Sequence, residues 1–489
     1  MKEYMNNSND VLKDNKEWII VFLPLVAIEI YLTFTVLVFL LGPIKWHIQN
    51  LSMFLLYIVL YHLAFISGYV VYWRTSKHEH ITYSHTKNEY SPNLILIIGS
   101  YLCYIICYII SFPYTTGIVD TSLSNITQQL VIGLTNPASV YYNKAVQLSA
   151  LQPNPALNAV QCIIAPMAWF SFVLPIIWWD KLKLPYRIVF SIILIFEMGK
   201  WVLIGTNKGV FDLLITLIVV FAFDAICGYI KGNNIKTWLQ HKIPIVLYIA
   251  LLTIFSFYFI GLNMTTRVGS VTTYLEKSIP QQQAEVEFTE ANRTSGPKTN
   301  ELTANQSNNA GNSELLDNAR YGLLFYITHG YYGMSLAISR PLTSTFGVGN
   351  SYFLTRQVER ITHVNMFGRT YMAKLEPEWS ATGLWHTCYT WLACDVSFVG
   401  VVLVMFILGL FLARTWMDAI FGKNIFSIAL IPVLAIMFVY MPCNNQVMAN
   451  GPSFCTFWGL AMLSVVYPKY FGAGKRGVPR GESAIYTAP

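Results

Sequence analysis

Charge is what this sequence has least of. Asp, Glu, Lys and Arg make up 12% of its 489 residues, where an average soluble domain holds about 25%. A water-soluble globule of this length would lack the charges to cover its surface, so an ordinary cytosolic enzyme is excluded. A disordered chain is excluded as well, because 54% of the residues are hydrophobic and 15% aromatic. There is no basic stripe, and a net charge of +7 is too mild to argue for nucleic acid as a partner. The eight cysteines form no CxxC and no Cys/His zinc spacing. No cleavable leader is expected: residues 1–17 are polar with mixed charge, and the first apolar run is long enough to cross a membrane. Internal repeats and the paired halves of many transporters are missing too.

Long apolar runs are plentiful. A membrane-crossing helix needs about 20 mostly apolar residues. Ten runs qualify, near 18–41, 48–73, 92–113, 161–179, 187–205, 209–229, 243–262, 389–413, 425–442 and 452–468. The fold expected is an all-α polytopic membrane protein with about ten spans. With the N-terminus inside, the inner segments hold 18 Lys and Arg, and the four short outer loops hold three, Lys45, Lys144 and Lys208. Positive residues stay inside, so both termini are expected in the cytoplasm. Three parts follow: a bundle of about seven spans at 1–262, a large outer loop at 263–388, and a three-span bundle with a cytoplasmic tail at 389–489. Within the loop, 280–313 is rich in Gln, Asn, Ser and Thr and reads as disordered. Residues 321–339 are apolar but contain a His and two Gly, which fits an interfacial or re-entrant helix. Short amphipathic helices are expected in the outer loop at 114–160.

Ionisable residues inside spans are costly and therefore functional candidates. Glu29, Glu197, Lys200, Asp212, Asp224 and Asp395 stand there. Glu197 and Lys200, three apart, are placed to pair, and Asp212 is placed to hold Lys208. Asp224 reads as a solvated or capping residue near an inner end.

The outer face carries the richer chemistry. Lys208 stands in GTNKG (205–209), a small-residue turn before a helix N-terminus, where an anion is favoured. The large loop holds seven Arg against three Lys, and Arg offers a planar fork for carboxylate and phosphate. Arg320 opens the apolar 321–339 stretch, Arg356 and Arg360 are one helical turn apart, and Arg369 lies in MFGRTY. A glycine turn, TFGVGNSYF, follows at 345–353. LEPEWS (375–380) and LWHTCYTW (384–391) then bring Glu376, Glu378, Trp379, Trp385, His386 and Tyr389 just before the next span. Trp and Tyr are belt residues at interfaces, and they are also faces on which sugar rings stack. His386 can exchange a proton near neutral pH.

This order is similar to that of the bacterial O-antigen polymerase (Wzy-type) and O-antigen ligase superfamily. It runs from GTNKG through a large outer loop to Arg320 in ARYGLLFYI, then FGVGNS, then His386 in WHTCYTWLACDVSFVGVVL, across roughly 200–410. The resemblance implies a multi-span glycosyltransferase of GT-C type in the bacterial inner membrane. Its donor and acceptor would be undecaprenyl-pyrophosphate-linked glycans at the periplasmic face, among membrane lipids, with no metal and no other cofactor. It also makes a chain-length regulator a partner to test for. Carried over residue by residue, it makes Lys208, Arg320 and Arg369 pyrophosphate-binding candidates. His386 becomes the first candidate to activate the acceptor, with Glu376 or Glu378 second, and Trp379, Trp385 and Tyr389 would meet glycan. Gly347, Gly349 and Asp395 stand at the family's glycine turn and late acidic position. Two positions depart: Lys208 replaces an Arg, and Thr387 stands where ligases often have Asn. That second departure favours polymerase over ligase. A lipid-linked sugar or polysaccharide transporter (a flippase) and a non-catalytic membrane scaffold are the readings of other classes.

Overall fold

The computed structural model describes residues 2–83, 93–137, 139–141, 144, 154–230, 232, 234–278, 310–380, 384–421 and 424–470. They form helices: α1 (Lys2–Leu41), α2 (Leu51–Tyr83), α3 (Leu94–Thr116), α4 (Leu123–Thr135), α5 (Pro155–Ile177), α6 (Leu184–Ile204), α7 (Lys208–Ile230) and α8 (Ile235–His241). There follow α9 (Ile243–Ser278), α10 (Ala310–Ala337), α11 (Tyr352–Thr362), α12 (Tyr371–Lys374), α13 (Cys388–Ile420), α14 (Ile425–Tyr440) and α15 (Gly451–Tyr470). Local chemistry marks their ends. Asn93, Asn154 and Asn424 cap α3, α5 and α14 with side-chain oxygens that accept from the first free amides. Gly117 and Gly205 close α3 and α6 with φ of 77° and 67°.

Among the described residues, seven helices are long and apolar enough to cross a membrane. They lie in α1, α2, α3, α5, α7, α9 and α13, so the chain is a multi-pass membrane protein by length and composition. The other three runs expected to span are helices as well. The α6 helix carries Arg187, Glu197 and Lys200, and α14 is only 16 residues long. The apolar part of α15 is Gly451–Val466. Each of the three lies along a neighbouring helix. Cys388 N donates to Met441 O (2.9 Å), so α14 returns beside the start of α13. Asn424 Nδ2 donates to Ser464 O (2.8 Å), so α15 runs back beside α14. Tyr101 OH and Tyr108 OH donate to Tyr186 O and Phe196 O, which sets α6 parallel to α3.

One end of the bundle therefore gathers 42–50, 205–207, 338–380, 384–387 and 441–450; it is the loop-rich end. The helix expected at 321–339 is the second half of α10, and it stays at this end. Trp46, in the connection after α1, packs on Phe325 and Tyr332, and Asn50 bonds Ser339. The 280–313 stretch lies outside the described residues except for its last four positions, which begin α10. The α9 helix continues past residue 262 to Ser278, since no proline interrupts the chain before Pro280. In the 114–160 segment α4 is one well-formed helix.

The opposite end holds an ion cluster that the sequence did not reveal. Lys242 is 1% exposed; its Nζ lies 2.9 Å from Asp224 and 3.5 Å from Asp180 and donates to Ile176 O (2.8 Å). Asp224 is thus the partner of a buried lysine, brought from a different helix, rather than a solvated cap.

Candidate functional site

A cavity of about 610 Å³ opens at the loop-rich end, between α3, α5, α6, α7, α11 and the turn leading into α15. That volume falls in the range of small-molecule sites. Four cationic side chains line it, Lys200, Lys208, Arg356 and Arg360, against two carboxylates, Glu197 and Asp212. Tyr104, Tyr108, Trp169 and Trp201 give it an aromatic wall, and amides including Asn158, Gln446 and Asn450 add neutral polar groups. An anionic head joined to a ring-bearing or apolar body suits this lining.

Trp201 organises the charges. Its ring centroid lies 5.3 Å from Lys200 Nζ and 5.4 Å from Lys208 Nζ, a cation–π distance to both. Its Nε1 donates to Glu197 Oε1 (2.8 Å). Glu197 also accepts from Tyr104 OH (2.8 Å) and pairs with Lys200 (2.6 Å), so three side chains fix it. Lys208 pairs with Asp212 at 3.0 Å. The GTNKG turn is glycine at both ends for a spatial reason. A Cβ on Gly205 would meet Pro137 O at 2.2 Å, and one on Gly209 would overlap the Trp201 ring at 1.7 Å. On α11, Arg356 pairs with Glu359 (3.1 Å) and lies over the Tyr352 ring (5.4 Å). Arg360 is exposed at the rim and makes no ion pair among the described residues.

The residues singled out from sequence divide between this cavity and its surroundings. Lys208 lines the cavity. His386 is 1% exposed and is not among the lining residues. Its ring is wedged against α10, where a Cβ on Gly333 would lie 2.8 Å from Nδ1. The ring nitrogens approach the backbone of Trp379 and Gly333 without a well-formed hydrogen bond. Burial first, and neighbouring His329 second, push its pKa down to about 3. Burial takes His329 down to about 4. Glu376 is exposed and accepts from Ser380 (2.6 Å), and Glu378 pairs with Arg340. Arg369 lies over the Phe346 ring (5.1 Å), and Arg320 is exposed on α10. Trp379 and Tyr389 are buried; Trp379 donates to Trp385 O, and Tyr389 packs 4.9 Å from Tyr61. Trp385 is half-buried, 5.1 Å from Tyr326. Thr387 caps α13 through Thr390 N (3.2 Å).

The glycine turn and Asp395 meet. Asp395 accepts from Thr345 Oγ1 (2.5 Å), Gly349 N (2.9 Å), and Asn350 N and Nδ2 (both 2.8 Å). The turn's donors are thus spent on the protein's own carboxylate, and it serves to tie the loop to α13. Sequence reasoning did not assign Trp201, the α3 tyrosines or the Arg356/Arg360 pair to a common site. The signals present were an Arg pair on one face of a short amphipathic helix and a Trp next to a Lys just ahead of GTNKG.

Comparison with protein-family models, curated proteins and solved structures returned no match.

Proposed function

We propose that the protein is a ten-span, GT-C-like glycosyltransferase of the bacterial inner membrane. It polymerises undecaprenyl-pyrophosphate-linked oligosaccharide units, and its loop-rich end faces the periplasm. The carrying observation is the cavity at that end, with Lys200, Lys208, Arg356 and Arg360 set among aromatic rings. The excess of Lys and Arg in the segments at the opposite end supports the orientation.

In this reading the acceptor hydroxyl attacks the anomeric carbon of the donor sugar as the glycosyl–pyrophosphate bond breaks. Negative charge builds on the departing pyrophosphate. Lys208 and the α11 arginines stabilise it from fixed positions, and Arg320 and Arg369 serve the approach across the loop surface. The acceptor proton needs a base. Glu197 is engaged by three partners, so Asp212 is the carboxylate in the cavity for that role. His386, Glu376 and Glu378 lie in the shell around the 375–387 segment, which supports the cavity's end of the molecule.

The test is purified protein with lipid-linked repeat units. Wild type should yield a ladder of lengthening products. Lys208→Ala and the double variant Arg356→Ala/Arg360→Ala should each cut turnover by about 10²-fold, the scale of losing one charge-stabilising group. An undiminished ladder in both variants would overturn the site. Product only when a lipid A-core acceptor is supplied would make the protein a ligase, and lipid translocation without glycosyl transfer would make it a flippase.

A further inference from the structure

The cavity has a second chemical feature in its wall, independent of any glycosyl transfer. Helices α5 and α15 pack along a seam of small residues. A Cβ on Gly451 would lie 2.7 Å from Cys162 Sγ, and one on Gly459 would lie 2.7 Å from Pro166 Cγ. Gly451, Cys455 and Gly459 recur every four residues on one face of α15, facing Cys162 and Pro166, four apart on α5. Small residues at this spacing let two helix backbones approach closely. The approach brings two thiols near each other: Cys162 Sγ lies against the α15 turn that begins at Gly451, and Cys455 is the next residue on that face. Both thiols are free and only partly buried. They lie in the second turns of their helices, at the loop-rich end.

We infer that Cys162 and Cys455 form a redox-active pair that closes to a disulfide across the α5–α15 seam. The oxidant is an external disulfide. One thiol of the pair attacks it, losing its proton as it does so, which gives a mixed disulfide and releases one thiol. The second cysteine then displaces the other half. The two cysteines lose two protons and two electrons, and the oxidant becomes two thiols. Bridgeable cysteines must have their Cα atoms within about 7 Å, which the glycine seam favours. The bond joins two walls of the cavity, since Asn158 and Gln161 flank Cys162, and Ser453 and Thr456 flank Cys455, all of them lining residues. Oxidation therefore fixes the spacing of that wall. Cys107 is the neighbour that could compete: it sits against Gln161 O (3.9 Å) and lines the cavity.

The experiment uses the full chain in detergent, oxidised with dipyridyl disulfide. It is then denatured, alkylated, digested and read by mass spectrometry. The expected result is a reducible peptide pair joining Cys162 to Cys455, with loss of two of the eight alkylatable thiols. Cys455→Ser should abolish the pair and leave a pyridyl adduct on Cys162, while Cys103→Ser should leave the pair intact. As a second readout, oxidised wild type should melt at a higher temperature than the same sample after reduction, with no such difference in Cys455→Ser. Full alkylation of Cys162 and Cys455 after oxidation overturns the inference. So does a bond from Cys162 to Cys107, or a disulfide between two chains.

Discussion

Burial gives His386 a pH signature. Its folded pKa of about 3, and the value of about 4 for His329, lie well below the ordinary 6.5. As pH falls through 6.5 the unfolded chain takes up protons on both residues and the folded chain does not. Stability is therefore complete above that pH and is lost on acidification, until the folded pKa values are reached. The slope for each histidine is about 1.4 kcal/mol per pH unit. The thermal midpoint of the purified protein should accordingly fall between pH 7 and pH 5, and His386→Gln should flatten that fall. An identical slope in the variant would show that His386 contributes none of it. At neutral pH the same burial keeps His386 uncharged and out of contact with solvent. Sequence marked this histidine for its place before a span, but not for its burial, because Gly333, against which its ring is wedged, comes from a distant stretch of chain.

At the scale of elements, α13 and the glycine turn depend on each other. Asp395 gathers four donors from 345–350, and two residues later Ser397 leaves helical geometry with φ 65° and ψ 166°. Tyr61 OH donates to Phe398 O (2.7 Å), giving the carbonyl beside this kink a partner from α2. In Asp395→Asn an amide NH₂ must face N–H donors on at least one side, and the charge is gone. Hydrogen bonds to a charged group contribute about 1.5–3 kcal/mol each, so the variant should lose on that order in stability. Limited proteolysis should then cut within 345–351 sooner than in wild type, and an unchanged cleavage rate would remove the tie's importance. The helices themselves were readable from sequence because apolar runs of membrane length have few other uses. The Glu197–Lys200 and Lys208–Asp212 pairs were readable because partners three or four apart share a helix face. The pairing of Glu29 with His62 (2.5 Å) and of Lys242 with Asp224, and the approach of Cys162 to the Cys455 face of α15, were not, since each joins parts of the chain whose neighbourhood only the fold sets.

At the scale of the whole molecule, the distribution of charge matters more than its scarcity. Four cations meet in one cavity at the end where loops gather, while the basic segments 180–187 and 234–242 lie at the other. In the proposed orientation these segments are cytoplasmic, where a membrane potential and an anionic inner leaflet favour basic residues. The orientation and the span count then become one measurement. Thr362 is the last residue of α11, Asn450 precedes α15, and Thr237 lies on α8; all three are exposed. In a cysteine-free background, Thr362→Cys and Asn450→Cys should react with an impermeant maleimide on intact spheroplasts. Thr237→Cys should react only after permeabilisation. The Asn450 site carries the decision on α14. At 16 residues that helix rises about 24 Å, short of the roughly 30 Å hydrocarbon core. It reaches the loop-rich end only if the bilayer thins or the polar ends of the helix are hydrated. Labelling of Asn450→Cys from outside alongside Thr362→Cys requires α14 to cross, and with it α15. Protection of Asn450→Cys while Thr362→Cys reacts would leave both short helices re-entrant and reduce the count. Labelling of Thr237→Cys alone would invert the molecule and place the cationic cavity in the cytoplasm.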